Sequence, residues 1–264
     1  MFKTSQLLRK AKILFFLGKG LTRVPRDKSS SISDLFPLRT GLDWRTYFEL
    51  LDVNSLTRGA SVGTENPVLF VFHDSDGNFL GEESLIVGKK ARTTIDMSLY
   101  LTKFKDAASF SVFHKGLEGE EFGASFLAER GYTGYEYKGF GVRGYVHGNL
   151  DSMALNSSSQ LQPLGKRSFF KRRYLVQHVM TGPAEYEFAL TNPTRWAVQV
   201  RFELKKNRKW KTVEKVKINS KGIYLFKTSI SDSETGLIRV VSKLAMGRPV
   251  VFRLTKDSMD VFHG

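Results

Sequence analysis

The sequence has no cysteine among its 264 residues. That excludes disulfide staples and thiolate nucleophiles, and it suits a reducing compartment, so the cytoplasm is the expected location. No apolar run approaches the roughly 20 residues of a membrane span. The five-residue stretch Ile13-Leu14-Phe15-Phe16-Leu17 falls short of the roughly 7–15 apolar residues of a secretory signal, so neither an integral membrane protein nor a secreted one is expected. A glycine-flanked serine elbow and a zinc-protease helix motif are both missing. So are the signatures of the common nucleic-acid modules. Acidic residues are outnumbered, 26 against 41 Lys and Arg, for a net charge of +15.

What is present is hydrophobic enough to fold: 41% of the residues are apolar and 21 are Phe. The length suits two domains of ordinary size. The first thirty residues place Leu7, Leu8, Ala11, Leu14 and Phe15 near a helical period, with Arg9, Lys10 and Lys12 between them. This predicts a basic amphipathic helix within a segment spanning 1–35, able to meet an anionic membrane surface through residues 5–24 or to pack on a neighbouring domain or subunit. Location at the inner face of a membrane follows as an expectation.

The charge is unevenly spread. Residues 1–30 carry eight Lys/Arg and one acid, residues 31–164 carry twelve against seventeen, and the last hundred residues carry twenty-one against eight. Lys166, Arg167, Lys171, Arg172 and Arg173 form one cluster, and Lys205, Lys206, Arg208 and Lys209 another. Concentrated cations attract nucleic acid, anionic glycans or acidic lipid. The second cluster also reads as a solvated hairpin tip.

Two similar passages organise the chain. Asn66-Pro67 leads into Val68-Leu69-Phe70-Val71-Phe72, and Asn192-Pro193 leads into the run from Trp196 to Phe202. Each is followed by a polar turn and a second extended segment, which suggests duplication. Val198, Val200, Phe202 and Leu204 alternate with Gln199, Arg201 and Glu203, the period of a half-buried antiparallel strand. Further short extended runs, Tyr174 to Met180 among them, bring the second half to about seven strands, with a weaker copy in the first half that includes Phe79 to Val87, Ser109 to His114 and Tyr132 to Tyr137. Leu150 to Gly165 reads as the connection between the two. The layout over 40–264 resembles tandem immunoglobulin-like and fibronectin-like sandwiches. The expectation is an all-β chain of two antiparallel β-sandwich domains, over 36–160 and 161–264, behind the N-terminal helix. That resemblance transfers no functional residue.

Asp74-Ser75-Asp76-Gly77-Asn78 has the look of a calcium loop, but the sixth and twelfth positions hold Phe79 and Leu85 where glycine and glutamate are required. An Asp-Gly hairpin turn explains it. The five histidines show no metal-ligand spacing, and neither a cofactor nor a metal is expected. The most unusual passage is 130–149, with six glycines and four tyrosines. Glycine lets a ligand approach backbone, and tyrosine offers a flat apolar ring with a polar tip. Arg130, Tyr132, Tyr135, Tyr137, Arg143, Tyr145, His147 and Asn149 are therefore the candidate ligand-binding residues. The competing account is a twisted hairpin whose tyrosines pack between sheets. The reading that follows is a non-catalytic binding protein for a carbohydrate, anionic if the basic strands take part. The alternatives are a nucleic-acid-associated structural protein and a glycan-acting enzyme using Glu136, His147 and Arg143.

Overall fold

The computed structural model describes residues 21–25, 27, 29–41, 43–51, 66–87, 92–114, 127–128, 131–148, 151–206 and 209–264. The expected N-terminal helix falls on residues outside this set. The described residues form 21 strands and one four-residue helix, α1 (Ser98–Leu101). The strands make five small sheets.

Sheet I joins β1 (Ser31–Ser33), β8 (Leu127–Ala128), β11 (Met153–Leu155) and β12 (Leu161–Pro163). Sheet II runs β2-β7-β4-β5, from Phe36–Pro37, Ser109–His114, Asn66–His73 and Phe79–Val87. Sheet III runs β10-β9-β3-β6, from Gly144–His147, Tyr132–Tyr137, Trp44–Leu51 and Arg92–Asp96. Sheet IV runs β18-β15-β20-β21, from Ile223–Ile230, Ala184–Thr191, Val250–Leu254 and Met259–His263. Sheet V runs β13-β19-β16-β17, from Arg167–Leu175, Thr235–Leu244, Val198–Lys206 and Lys209–Ile218, with β14 (Met180–Thr181) pairing β19.

The expectation of two tandem immunoglobulin- or fibronectin-like sandwiches is corrected by this arrangement. The five sheets pack as successive blades, an all-β, propeller-like five-blade architecture. It departs from a regular propeller in that each blade draws strands from separated parts of the chain. The physical reason lies in strands with two apolar faces. In β15 and β20, Tyr186, Phe188 and Val251 join the core shared with sheet V, while Ala189, Val250 and Phe252 join a second core with Tyr135 and Val146 of sheet III. In sheet II, Phe70 and Phe110 meet Phe48 of sheet III, and Leu69, Val71 and Phe113 on the opposite face meet Met153 and Leu155 of sheet I. Alternation shows that a strand has an apolar face; a strand covered on both sides lets one packed unit continue into the next.

The strand orders repeat. Sheet V, read β13-β19-β16-β17, follows the sequence of connections of sheet II, and sheet IV, read β21-β20-β15-β18, follows that of sheet III. The two Asn-Pro passages therefore feed equivalent central strands, β4 and β16. Between β4 and β5 the Asp74 loop is a hairpin turn: Gly77 N donates to Asp74 O at 3.1 Å, Asn78 N donates to Asp74 Oδ1 at 2.8 Å, and Gly77 takes φ +84°. A Cβ on Gly77 would lie 2.0 Å from Ser220 O, so this glycine also permits the turn to dock on the β17–β18 connection.

Arg39, just past β2, ties sheets II and III to sheet IV. Its guanidinium lies 4.3 Å from the Trp44 ring centroid and 5.4 Å from that of Phe252. It donates through Nη2 to Glu187 Oε2 on β15. Both side chains are largely buried, and Lys227 pairs with the other carboxylate oxygen. Removing one member of a buried pair strands the other charge. Glu187→Ala should lower the unfolding free energy by about 3–5 kcal/mol, read from urea denaturation.

His73, at the end of β4, is fully buried and neither ring nitrogen has a hydrogen-bond partner among the described residues. Burial and, to a lesser degree, the Lys221 charge together lower its pKa to about 4, with Asp74 opposing. The unfolded chain therefore takes up this proton first, and the neutral ring's contribution is lost as pH falls from about 6.5 towards about 4. Wild-type stability should drop by about 3 kcal/mol across that window relative to His73→Leu, measured by denaturant midpoints at stepped pH.

Candidate functional site

Strand alternation sorts the tyrosine- and glycine-rich segment into two sets. Tyr135 and Tyr137 point inward. Tyr135 is fully buried, meets Phe252 edge-on at 4.9 Å, and donates its hydroxyl to Pro37 O at 2.8 Å; burial pushes the phenol pKa up. Tyr137 packs on Trp44 at 4.7 Å. These two are parts of the seam between sheets III and IV rather than surface contacts. Arg130 and Asn149 lie outside the described residues.

Tyr132, Gly134, Tyr145 and His147 face outward, because β9 and β10 pair Tyr132 with His147 and Gly134 with Tyr145. The Tyr145 ring lies across the backbone of Gly134: a Cβ there would come within 2.7 Å of Tyr145 Cε1 and 2.9 Å of Arg143 Cδ. Tyr145 donates to Glu49 Oε1 at 3.2 Å and accepts from Arg143 Nη1 at 3.2 Å. Arg143 in turn lies over the Tyr47 ring, 3.4 Å from its centroid. The ring of Tyr145 is thus fixed in orientation and still 40% exposed, with Tyr132 beside it at 44%.

Glu49 and Tyr47, which sequence reasoning passed over, anchor this surface from β3. Burial opposes the Glu49 charge, yet hydrogen bonds from Arg92 Nε at 2.7 Å and Thr94 Oγ1 at 2.9 Å win, holding the carboxyl below its usual range. The signal was a Tyr-x-Glu alternation in a strand otherwise read for its core positions. On the rim, His263 Nε2 donates to His147 O at 2.7 Å. Burial lowers the His263 pKa to about 4, helped by Arg248 and opposed by that hydrogen bond. The crevice behind it, lined by Tyr135, His147, Arg248 and His263, measures about 20 Å³, room for about one water.

The basic residues also divide. Lys206 pairs with Lys209 across the β16–β17 hairpin, Lys209 is exposed, and Arg208 lies outside the described residues. Lys205 and Arg173 sit on the outer face of sheet V, opposite the core positions Val200, Phe202 and Val240. Register adds residues that sequence clustering missed: Arg201 stands between Lys215 and Val241, Gln199 opposite Lys217, and Glu203 between Thr212 and Arg239, with Lys243 following on β19. One acid, Glu203, sits among seven cations and pairs with Arg201 at 3.1 Å and Arg239 at 2.6 Å. Arg239 also covers the Trp210 ring at 4.1 Å. Lys166, Arg167, Lys171 and Arg172 instead lie at the β13 edge, where Arg172 Nη1 donates to Ala245 O at 2.9 Å.

Among the described residues, no group of three or more acidic or histidine side chains is placed to hold a metal ion, and no helix is long and apolar enough to cross a membrane.

No family model and no curated protein matches the sequence. Among solved structures, a β-glucuronidase of Parabacteroides merdae aligns at 13% identity and TM-score 0.16, and the same enzyme with glycerol in its active site at 11% and 0.17. Each alignment covers 88% of this chain and 27% of the enzyme. At such scores the likeness carries no inference about fold or activity.

Proposed function

We propose that this is a non-catalytic carbohydrate-binding protein whose sugar-contacting surface is the outer face of sheet III. The observation that carries the reading is the Tyr145 ring, packed against Gly134 and held by Glu49 and Arg143 while still exposed. Such a ring offers an apolar platform to the C–H face of a pyranose, and its fixed orientation lowers the ordering cost of binding. Exposed Tyr132 widens the platform. Arg143 and His147 supply directional hydrogen bonds to hydroxyls or carboxylates. The surface is shallow, which suits recognition of a repeating polymer by several weak contacts better than enclosure of a small molecule.

A second reading rests on the outer face of sheet V, where seven cations surround Glu203. That face favours a polyanion, and phosphates of nucleic acid or charges of an anionic glycan would satisfy it alike. Arg239 already occupies a face of Trp210, which limits base stacking there.

Titration against a panel of neutral and acidic oligosaccharides at low and high salt tests both. Tyr145→Ala should weaken salt-tolerant glycan binding about tenfold, the scale of one lost aromatic contact, with the melting transition still cooperative. Gly134→Ala should weaken it in the same direction by lifting the ring. Affinities equal to wild type in both variants would remove the sheet III site. Binding that vanishes in salt and falls in an Arg201→Glu/Lys215→Glu variant would assign the affinity to sheet V.

A further inference from the structure

Strand β13 breaks its register with β19: Arg167 pairs with Leu244, and the next pair is Arg172 with Ser242. Five steps along one strand match two along the other, so Ser168 to Lys171 bulge out of the ladder at the edge of sheet V. At the crest are Phe169 and Phe170, 84% and 75% exposed, with ring centroids 4.9 Å apart at 82°. Ser168 Oγ donates to Phe170 O within the bulge. Two adjacent bare phenyl rings are unusual in a chain that buries Phe48, Phe70, Phe72, Phe110, Phe113 and Phe188 completely.

The charge around them has one sign. Lys166, Arg167, Lys171, Arg172 and Arg173 flank the rings, and no acid occurs between 165 and 175. Trp196, 48% exposed, stands on the same edge, with Arg23 5.0 Å and Arg167 5.9 Å from its ring centroid. The chain enters the described fold here too: Lys166 N donates to Leu21 O at 3.1 Å, and the twenty residues before Leu21 carry five Lys/Arg and no acid.

We propose that the β13 bulge docks this protein on an anionic lipid bilayer, with Phe169 and Phe170 entering the boundary between headgroups and acyl chains and the flanking cations on the lipid phosphates. Phenylalanine has no polar tip, so the large gain open to these rings is burial in an apolar medium, which the acyl-chain boundary of a bilayer supplies. A ring of cations just behind them matches the charge order of an anionic membrane, apolar inside and negative at its surface. Trp196 supplies the ring type favoured at that level. The near-perpendicular phenyls cannot stack on successive bases, which disfavours single-stranded nucleic acid. This site is separate from the sheet III surface and does not rest on the carbohydrate reading.

Sedimentation of the full chain with phosphatidylcholine vesicles, with and without phosphatidylserine, tests it at fixed ionic strength. Wild type should pellet with the phosphatidylserine vesicles, and soluble glycerophosphoserine at the same phosphate concentration should not displace it. Phe169→Ser/Phe170→Ser should partition about 100-fold more weakly, roughly tenfold per ring, with unchanged circular dichroism because the rings are already exposed. Phe170→Trp should give vesicle-dependent blue-shifted emission, quenched by brominated acyl chains. Wild type remaining in the supernatant, or the double serine variant pelleting like wild type, would overturn the proposal. So would displacement by glycerophosphoserine, which would leave a headgroup site without insertion.

Discussion

The buried pair between Arg39 and Glu187 fixes how the two halves of this molecule meet. Sheet IV is apolar on both faces, so its second face needs cover, and sheet III supplies it through Tyr135, Val146 and Trp44. The arginine enters that seam with its plane against Trp44 and Phe252, and the carboxylate of Glu187 neutralises it. Apolar seams tolerate sliding; a guanidinium held between two rings and one carboxylate has few alternative positions. Burial lowers the Arg39 pKa while Glu187 opposes that shift. The pair specifies geometry more than it adds net stability, since desolvation offsets much of its attraction.

That seam decides which surfaces remain for partners. Once the inner face of sheet III is spent on sheets II and IV, its outer face is free to carry Tyr132, Tyr145 and His147. Once sheet IV covers one face of sheet V, the opposite face can be basic without burying charge. Polar residues then accumulate where alternation sends them, opposite each core position. The Tyr145 platform and the sheet V cations are, in this sense, the reverse sides of the Phe48 and Phe202 cores.

Much of the strand content was legible. The runs at 79–87, 109–114 and 132–137 coincide with β5, β7 and β9, because each is bounded by turn residues. The run expected from Tyr174 to Met180 instead begins at Arg167, since the basic, bulged β13 shows no alternation. The connection expected over 150–165 contains β11 and β12, strands too short to show a period. Sheet arrangement was illegible for a different reason. A sequence tells that Phe188 and Ala189 point to opposite sides, but an alanine beside a phenylalanine does not announce that both sides are covered.

The same limit explains the divided fate of the candidate residues. Tyr135 and Tyr145 come from one passage of one composition, yet one closes a seam and the other lies open on a glycine. What separates them is parity along β9 and β10, which is fixed only when a register is chosen. Phe169 and Phe170 show the converse. Phenylalanine in an extended run predicts core, and a bulge cancels the prediction by removing the facing strand. An aromatic residue therefore becomes a surface contact here through backbone geometry, a glycine opposite in one case and unmatched residues in the other. One surface is built within a regular ladder by a missing side chain and the other by a bulge that interrupts the pairing, on strands whose neighbouring residues are held by the cores beneath them.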